Sequence, residues 1–482
     1  MFRKALAFVV LCIAFGPALA LAQSITPLTH GAPGGAQLAF LMTDGTVLIQ
    51  SASNDMSWYK LTPDNTGSYI NGTWTQVASL PTGYSPDAFA SAVLADGRLL
   101  IEGGEYNQGQ FAFTNLGAVY DPLKNAWTKL APPKGWKFIG DSPSSVLPNG
   151  DFLIGEKFKK NVAELDPTTM TWTELASAGK NDFNAEEGWT LLPDGSILTY
   201  DVKDNPKSER YVPDKGAWLN AGNTVVNLQG PQNCCGNCIV YGKDKCYDPP
   251  GEVGPAILMP NGTVFATGAT HEGQTTAHTA IYTPKTPGYP SGGWVAGPDF
   301  PNEDQAGDDF AALLPNGNAL VEGNSGTLYE FNGTTLKAEL GGGGSLLVLP
   351  TGQVLLGGSA VYASSGSYQQ SWAPTITTSP ASVTRGSTYQ ISGTQFNGLS
   401  QANSFGDEYQ TATNYPLVRI TNSGTGHVFY ARTHDHSTMG VATGSETVST
   451  NFDVPKTMET GASTLVVVAN GIPSTPVSVT VN

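Results

Sequence analysis

The chain has 482 residues, a formal net charge of −16 and only 13% charged residues, against 57 glycines and 33 prolines. Its 40% hydrophobic content excludes an intrinsically disordered chain. The acidic balance excludes a nucleic-acid or anionic-membrane partner drawn in by long-range attraction. A chain of this length suits one large domain plus a small one, and few charges with many turn formers point to an all-β protein.

In chain order, the first element reads as a secretory signal over 1–22. Arg3 and Lys4 precede an apolar stretch from Ala5 to Phe15, and Ala18-Leu19-Ala20 or Ala20-Leu21-Ala22 offers a small-residue cleavage site. The run is too short to span a bilayer, and no later segment reaches the roughly 18 apolar residues that a span needs. Export to a periplasm or the extracellular space is expected, and loss of Arg3 and Lys4 would take the net charge from −16 to −18.

A repeated unit follows. LMTDGTVLI, VLADGRLLIEGG, VLPNGDFLIGE, LLPDGSILTYD, LMPNGTVFATG, LLPNGNALVEG and VLPTGQVLLGG place turn glycines at 45, 97, 150, 195, 262, 317 and 352. Asp-Gly and Asn-Gly favour tight hairpins because these residues tolerate positive φ. Most units continue into a third strand ending like Tyr120-Asp121-Pro122, and a fourth carrying Trp74, Trp127, Trp172, Trp218 or Trp294. A step near fifty residues is the period of a four-stranded kelch-type blade, so the pattern predicts a seven-bladed β-propeller over 23–373. A strand near Ser24 to Thr29 is expected to close the ring on the last blade. From 374 to 482 the pattern changes to TYQISGTQF, YPLVRI, HVFYARTH and STLVVVANG, a series of short strands suited to an immunoglobulin-like β-sandwich.

The cysteines beyond the signal, Cys234, Cys235, Cys238 and Cys246, lie together in the long step between the fourth and fifth units. In an exported chain local disulfides are the expected outcome, with a zinc site as the alternative, and the pairing is not legible in the sequence. Asn71, Asn261 and Asn332 begin Asn-Gly-Thr sequons that turn chemistry also explains.

The repeats, with Gly393-Thr394-Gln395-Phe396, Asn414-Tyr415-Pro416-Leu417-Val418-Arg419 and Asn470-Gly471-Ile472-Pro473-Ser474 in the tail, resemble galactose oxidase and its relatives. The resemblance implies a kelch propeller followed by an early-set domain. In that family a copper ion and a radical tyrosine oxidise the substrate, using a Tyr-His pair before the last inner strand and a histidine from an early-set loop. Here Gly342 and Gly343 stand at the Tyr-His places, and a partner for a cross-linked tyrosine is not evident. A copper-radical cofactor is therefore not expected. The resemblance places His434 and His436, in Thr-His-Asp-His-Ser-Thr, at the same mouth.

The residues themselves suggest another site. Acids stand where the inner strands begin: Asp87, Asp141, Glu186 and Glu187, Glu252, Asp308 and Asp309. Parallel inner strands would bring them to one mouth of the channel, capped by His434 and His436. Converging carboxylates raise one another's pKa or bind a cation, and with imidazoles they would hold a divalent metal. The structural alternative is that each acid caps backbone N–H groups in its loop. His271 and His278 read as parts of an exposed polar loop. Tyr84, Phe89, Trp136 and Phe138 read as core residues with a sugar-stacking alternative. Three functions follow: a module binding a glycan or an extracellular protein surface, a carbohydrate-active enzyme with a rebuilt metal or carboxylate site, and a divergent oxidoreductase.

Overall fold

The computed structural model describes residues 23–230, 251–270, 274–285 and 292–482, and the backbone of two short paired strands, Ile239–Tyr241 and Lys245–Tyr247. The expected signal peptide, the four cysteine side chains and His271 lie outside the described residues. The described regular structure is strands with three single-turn 3₁₀ segments, and among the described residues no helix is long and apolar enough to cross a membrane.

Four-stranded antiparallel sheets succeed one another along the chain. Their innermost strands are Ala36–Leu41, Ala90–Val93, Ser144–Val146, Thr190–Leu191, Val253–Leu258, Ala311–Leu313 and Leu346–Val348. Neighbouring inner strands touch, and the last, Leu346–Val348, lies against the first, Ala36–Leu41. That contact closes a ring. The last sheet takes its outer strand from the other end of the chain, Ser24–Pro27 pairing antiparallel with Ala360–Ala363. The predicted turn glycines are all left-handed, with φ between 75° at Gly45 and 94° at Gly150.

Packing explains why these strands carry so few charges. Val47–Ser51, Leu99–Glu102, Phe152–Gly155 and Ile197–Tyr200 are buried at every position because other sheets cover both their faces. The outer-strand tryptophans tie blade to blade. Trp127 packs tilted against Trp58 of the preceding blade, ring centroids 4.9 Å apart, and donates its indole N–H to the Ala78 carbonyl, and Trp294 donates to Ser208 at 2.8 Å.

Residues 375–482 form one path of strands with its own core, including Val383, Ile391, Val418, Phe452, Val467 and Val479. Between Thr388–Thr394 and Leu417–Asn422 the chain leaves these strands and enters the propeller's channel. There it supplies a partner to every inner strand in turn. Tyr415 donates to the Leu41 carbonyl, and Ser91 exchanges hydrogen bonds with Gln410 at 3.1 Å. Gln401 donates to Ser145 at 3.3 Å and accepts from the Leu191 amide at 2.8 Å. Ser404 accepts from the Ala256 amide at 3.3 Å, the Ala402 carbonyl from Leu313 at 2.6 Å, and Asn403 from Val348 at 2.9 Å. Asn403–Ser404 also pairs with Ala311–Leu313. The channel is thus filled by a polar peg that satisfies inner-edge backbone groups water would otherwise have to reach.

Candidate functional site at the channel mouth

The tip of the peg, Phe405-Gly406-Asp407-Glu408-Tyr409, emerges where the inner strands begin, and this is where acids gather. Asp141, Glu186 and Asp407 each offer an oxygen within 4.8 Å of the others, and so do Glu252, Asp308 and Asp407. Asp407 belongs to both groups. The backbone is bent to present two of the acids: Glu186 has φ 58° and Asp308 φ 55°, left-handed conformations that non-glycine residues adopt at a cost of roughly 1–3 kcal/mol and that cluster at functional sites.

Lys157 supplies the counter-charge on one side. It is 1% exposed, and its ammonium sits between Asp141 and Glu186, 2.6 Å from the latter. Burial opposes ionisation of Glu186, but the Lys157 ammonium together with hydrogen bonds from Asp407, Lys157 and Asp141 holds that carboxyl low. Asp141 goes the other way, since burial raises it beyond what Lys157 offsets. Burial followed by neighbouring acids raises Glu252 and Asp407, and carries Asp308 up to about 6. Burial also lifts Glu408 to about 8 and Glu105 to about 7. The mouth therefore holds protonated and ionised carboxyls together near neutral pH, so it can both donate and accept hydrogen bonds.

Aromatic rings flank the acids. A short hairpin, Tyr106–Asn107 with Gln110–Phe111, pairs with Pro86–Asp87 beside the mouth. Tyr106 and Phe111 are 39% and 43% exposed, with ring centroids 5.8 Å apart. The charges of Glu105 first, then burial and the charges of Asp141 and Asp87, raise the Tyr106 hydroxyl. Below them Phe111 meets Phe113 at 4.3 Å, Phe113 meets Phe158 at 4.6 Å, and the Lys157 ammonium stands 5.3 Å from the Phe113 ring.

The structure sorts the acids expected from sequence. Asp141, Glu186, Glu252 and Asp308 come together. Asp87 stays at the rim, accepting from Tyr409 at 2.6 Å and Gln37 at 3.1 Å. Glu187 and Asp309 turn away, because the left-handed backbone at Glu186 and Asp308 sends the following residue in another direction. Glu187 is fully buried within its blade, where Lys180 binds it at 2.6 Å and Glu209 at 2.7 Å. Asp309 accepts from Asn324 in the latter's hydrogen-bonding orientation, and burial, then Glu322, pushes its carboxyl up to about 9.

The expectation that His434 and His436 cap this mouth is overturned. Their segment packs on the hairpin turns at the far end of the inner strands, where the Thr433 amide donates to Thr43 at 3.0 Å and the Met439 amide to Pro148 at 2.9 Å. His434 lies between Asp435 and Asp453 at 2.7 and 3.3 Å. His436 is buried against Tyr415 and bonds Thr450 at 2.9 Å, and burial lowers it to about 3. His278 pairs with Asp299 at 2.7 Å. Tyr84, Phe89 and Trp136 are core residues.

Sequence reasoning missed Asp407, Glu408 and Tyr409, which reach the mouth from a loop of the C-terminal segment, and Lys157 and Glu105. The only hint was the acidic pair in FGDEYQ, which carries no blade period.

Comparison with known proteins agrees with this architecture. No protein-family profile matches the chain. It is 27% identical over 129 residues to the Kelch-like protein terF of Aspergillus terreus, an alignment spanning only 26% of each chain. A fungal alcohol oxidase of the AA5 family, solved in complex with copper, is similar in structure with a TM-score of 0.52 at 14% identity, covering 96% of this chain and 100% of that one. An inactive virginiamycin B lyase from Staphylococcus aureus with quinupristin aligns at a TM-score of 0.46 and 11% identity, covering 70% of this chain and 97% of that one. The fold is the kelch-type propeller of the galactose oxidase kind. At such identities the likeness establishes the fold and leaves the reaction open.

The residues present do not fit the copper that the fungal oxidase carries. A Cβ at Gly343 would lie 2.2 Å from the Glu322 carboxylate, so a ligating side chain could not project there without displacing it. Among the described residues, the candidate metal groups at the mouth contain only carboxylates, whereas copper favours nitrogen and sulfur donors.

Proposed function

We propose that this protein is an exported propeller that binds a glycan at the channel mouth, without copper-radical chemistry. The observation that carries the reading is the exposed Tyr106–Phe111 pair beside the carboxyl cluster. Sugars present an apolar ring face and a rim of hydroxyls. Aromatic rings take the first, and carboxyls in mixed protonation states take the second as donors and acceptors. The N-terminal basic and apolar segment with its small-residue cleavage site supports export.

The test is binding to a panel of neutral and basic oligosaccharides by calorimetry. Replacing both rings, Tyr106→Ala with Phe111→Ala, is expected to weaken binding at least tenfold while lowering the unfolding temperature only slightly, since both side chains are partly exposed and the packing lost is their mutual contact and that of Phe111 on Phe113. Undiminished affinity in the double variant would remove the mouth as the glycan site. Hydrolysis is a second reading, favoured by carboxyls as differently placed as Asp308 at about 6 and Glu408 at about 8. Release of reducing ends from a bound oligosaccharide would select it over binding alone.

A further inference from the structure

We propose that Glu252, Asp308 and Asp407 hold a hard divalent cation of the Ca²⁺ type at the tip of the peg. Each residue offers one carboxylate oxygen within 4.8 Å of the other two. Oxygens bound to one Ca²⁺ at roughly 2.3–2.6 Å stand at most about 5 Å apart, so the three already satisfy the spacing a shared ion requires. They come from three separate parts of the chain: two neighbouring blades and the peg.

An acidic cluster alone would not make a site. The independent observation is Asp407. It is 2% exposed, and neither of its oxygens accepts a hydrogen bond from an N–H or hydroxyl donor. Its polar neighbours are other carboxyls, including Glu186 and Glu408. A buried carboxylate without donors is costly and requires either a proton or a cation. The Lys157 ammonium sits between Asp141 and Glu186, the other two acids grouped with Asp407. Glu252, Asp308 and Asp407 are left facing one another.

Access and chemistry agree. Glu252 is half-buried, and Asp308, though hemmed in by the mouth acids, keeps an exposed face, so an ion reaches Asp407 from the open mouth. The donors are all carboxylate oxygens, which suit Ca²⁺, Mg²⁺ or Mn²⁺ rather than Zn²⁺ or copper, and a cation as large as Ca²⁺ tolerates a site completed by water on the open side. The ion would pin the peg to the propeller wall at its tip. The inference does not rest on the glycan reading, because the three ligands are distinct from the rings that carry it.

The experiment uses the full mature protein, dialysed against chelator and then titrated with CaCl₂, with MgCl₂ and MnCl₂ in parallel, by calorimetry and thermal unfolding. One ion per chain and a raised unfolding temperature are expected. Asp308→Asn, an exposed and isosteric change, should weaken binding at least tenfold, and Asp407→Asn should abolish it. Asp435→Asn, an exposed acid far from the mouth, should change nothing. If Asp407→Asn unfolds the protein, Asp308→Asn alone decides. Absence of binding by all three ions at millimolar concentration overturns the proposal, as does binding that Asp308→Asn leaves intact. The Tyr106→Ala, Phe111→Ala variant separates the two readings, since it should keep the cation while losing the sugar.

Discussion

At the scale of single residues, the mouth is a place where protons are held more tightly than usual. Glu105 and Glu408 at the mouth, and Asp309 turned away beside it, are pushed up by burial to about 7, 8 and 9. In the unfolded chain these groups release their protons near pH 4, so between that point and the folded values the native state binds more protons than the unfolded state. By linkage, stability is full at the acidic side of this window and is lost as pH rises through it. The carboxyls held low, such as Asp453 beside Thr388, His434 and Arg432, act oppositely but only below about pH 4, the ordinary carboxylate range. The cation-free protein should therefore show an unfolding temperature that declines steadily from pH 5 to pH 9. A temperature that climbs over this range would mean that the mouth carboxyls are ionised at no cost, and the account of their burial would fail.

At the scale of elements, the peg is the part that turns a ring of blades into a site. Asn403 shows how. It is 1% exposed, its carbonyl oxygen accepts from the Val348 amide at 2.9 Å, and its amide donates to the Thr411 carbonyl at 2.9 Å. One side chain thus joins the last blade to both limbs of the peg. Asn403→Ala leaves a buried N–H and a buried C=O without partners at about 1–3 kcal/mol each, so a total loss of roughly 2–6 kcal/mol is expected in urea unfolding. Asn403→Asp, which keeps the acceptor for Val348 but buries a carboxylate against the Thr411 carbonyl, should cost at least as much at neutral pH. A loss below 0.5 kcal/mol, the low end for a single hydrogen bond, would show that water replaces the peg freely.

The blades were legible from the chain because each repeats the same local physics: a glycine that must adopt positive φ at 97, 150 or 195, between strands whose apolar content matches burial on both faces. The inner-strand acids were legible for the same reason, since Asp141, Glu186 and Asp308 hold equivalent places in the third, fourth and sixth repeats. Which member of an acid pair faces the mouth was not, because Glu186 and Glu187 differ only by one residue's rotation, settled by a left-handed φ at Glu186 that no local pattern announces. The peg was not legible at all. Its partners lie some 50 to 370 residues away in sequence, for example Leu41 with Tyr415 and Val348 with Asn403. The histidines were misplaced for the converse reason. A His-Asp-His sequence looks like a ligand set, but the strand Val428–His434 is held by Arg432 donating to the Asp96 carbonyl, at a hairpin turn on the opposite side of the ring.

At the scale of the whole molecule, the two ends of the chain both act on the propeller. Ser24–Pro27 closes the last sheet, and the segment after 374 fills the channel. The peg also adds apolar contacts there: Tyr409 packs at 5.3 Å on Phe89, and Phe405 at 4.7 Å on Phe310. Chains with separable domains unfold in separate steps, but here the inner strands of all the blades draw hydrogen bonds from the C-terminal segment. The propeller and that segment should therefore unfold together, giving a single calorimetric transition whose calorimetric and van't Hoff enthalpies agree. Residues 23–373 alone should lack that transition, because amides such as Leu191, Leu313 and Val348 lose their acceptors while Phe89 and Phe310 lose apolar cover. Two resolved transitions in the full protein, or a cooperative one in the shortened chain at a similar temperature, would mean that the ring is self-sufficient. The peg would then serve only to carry Asp407 and Glu408 to the mouth.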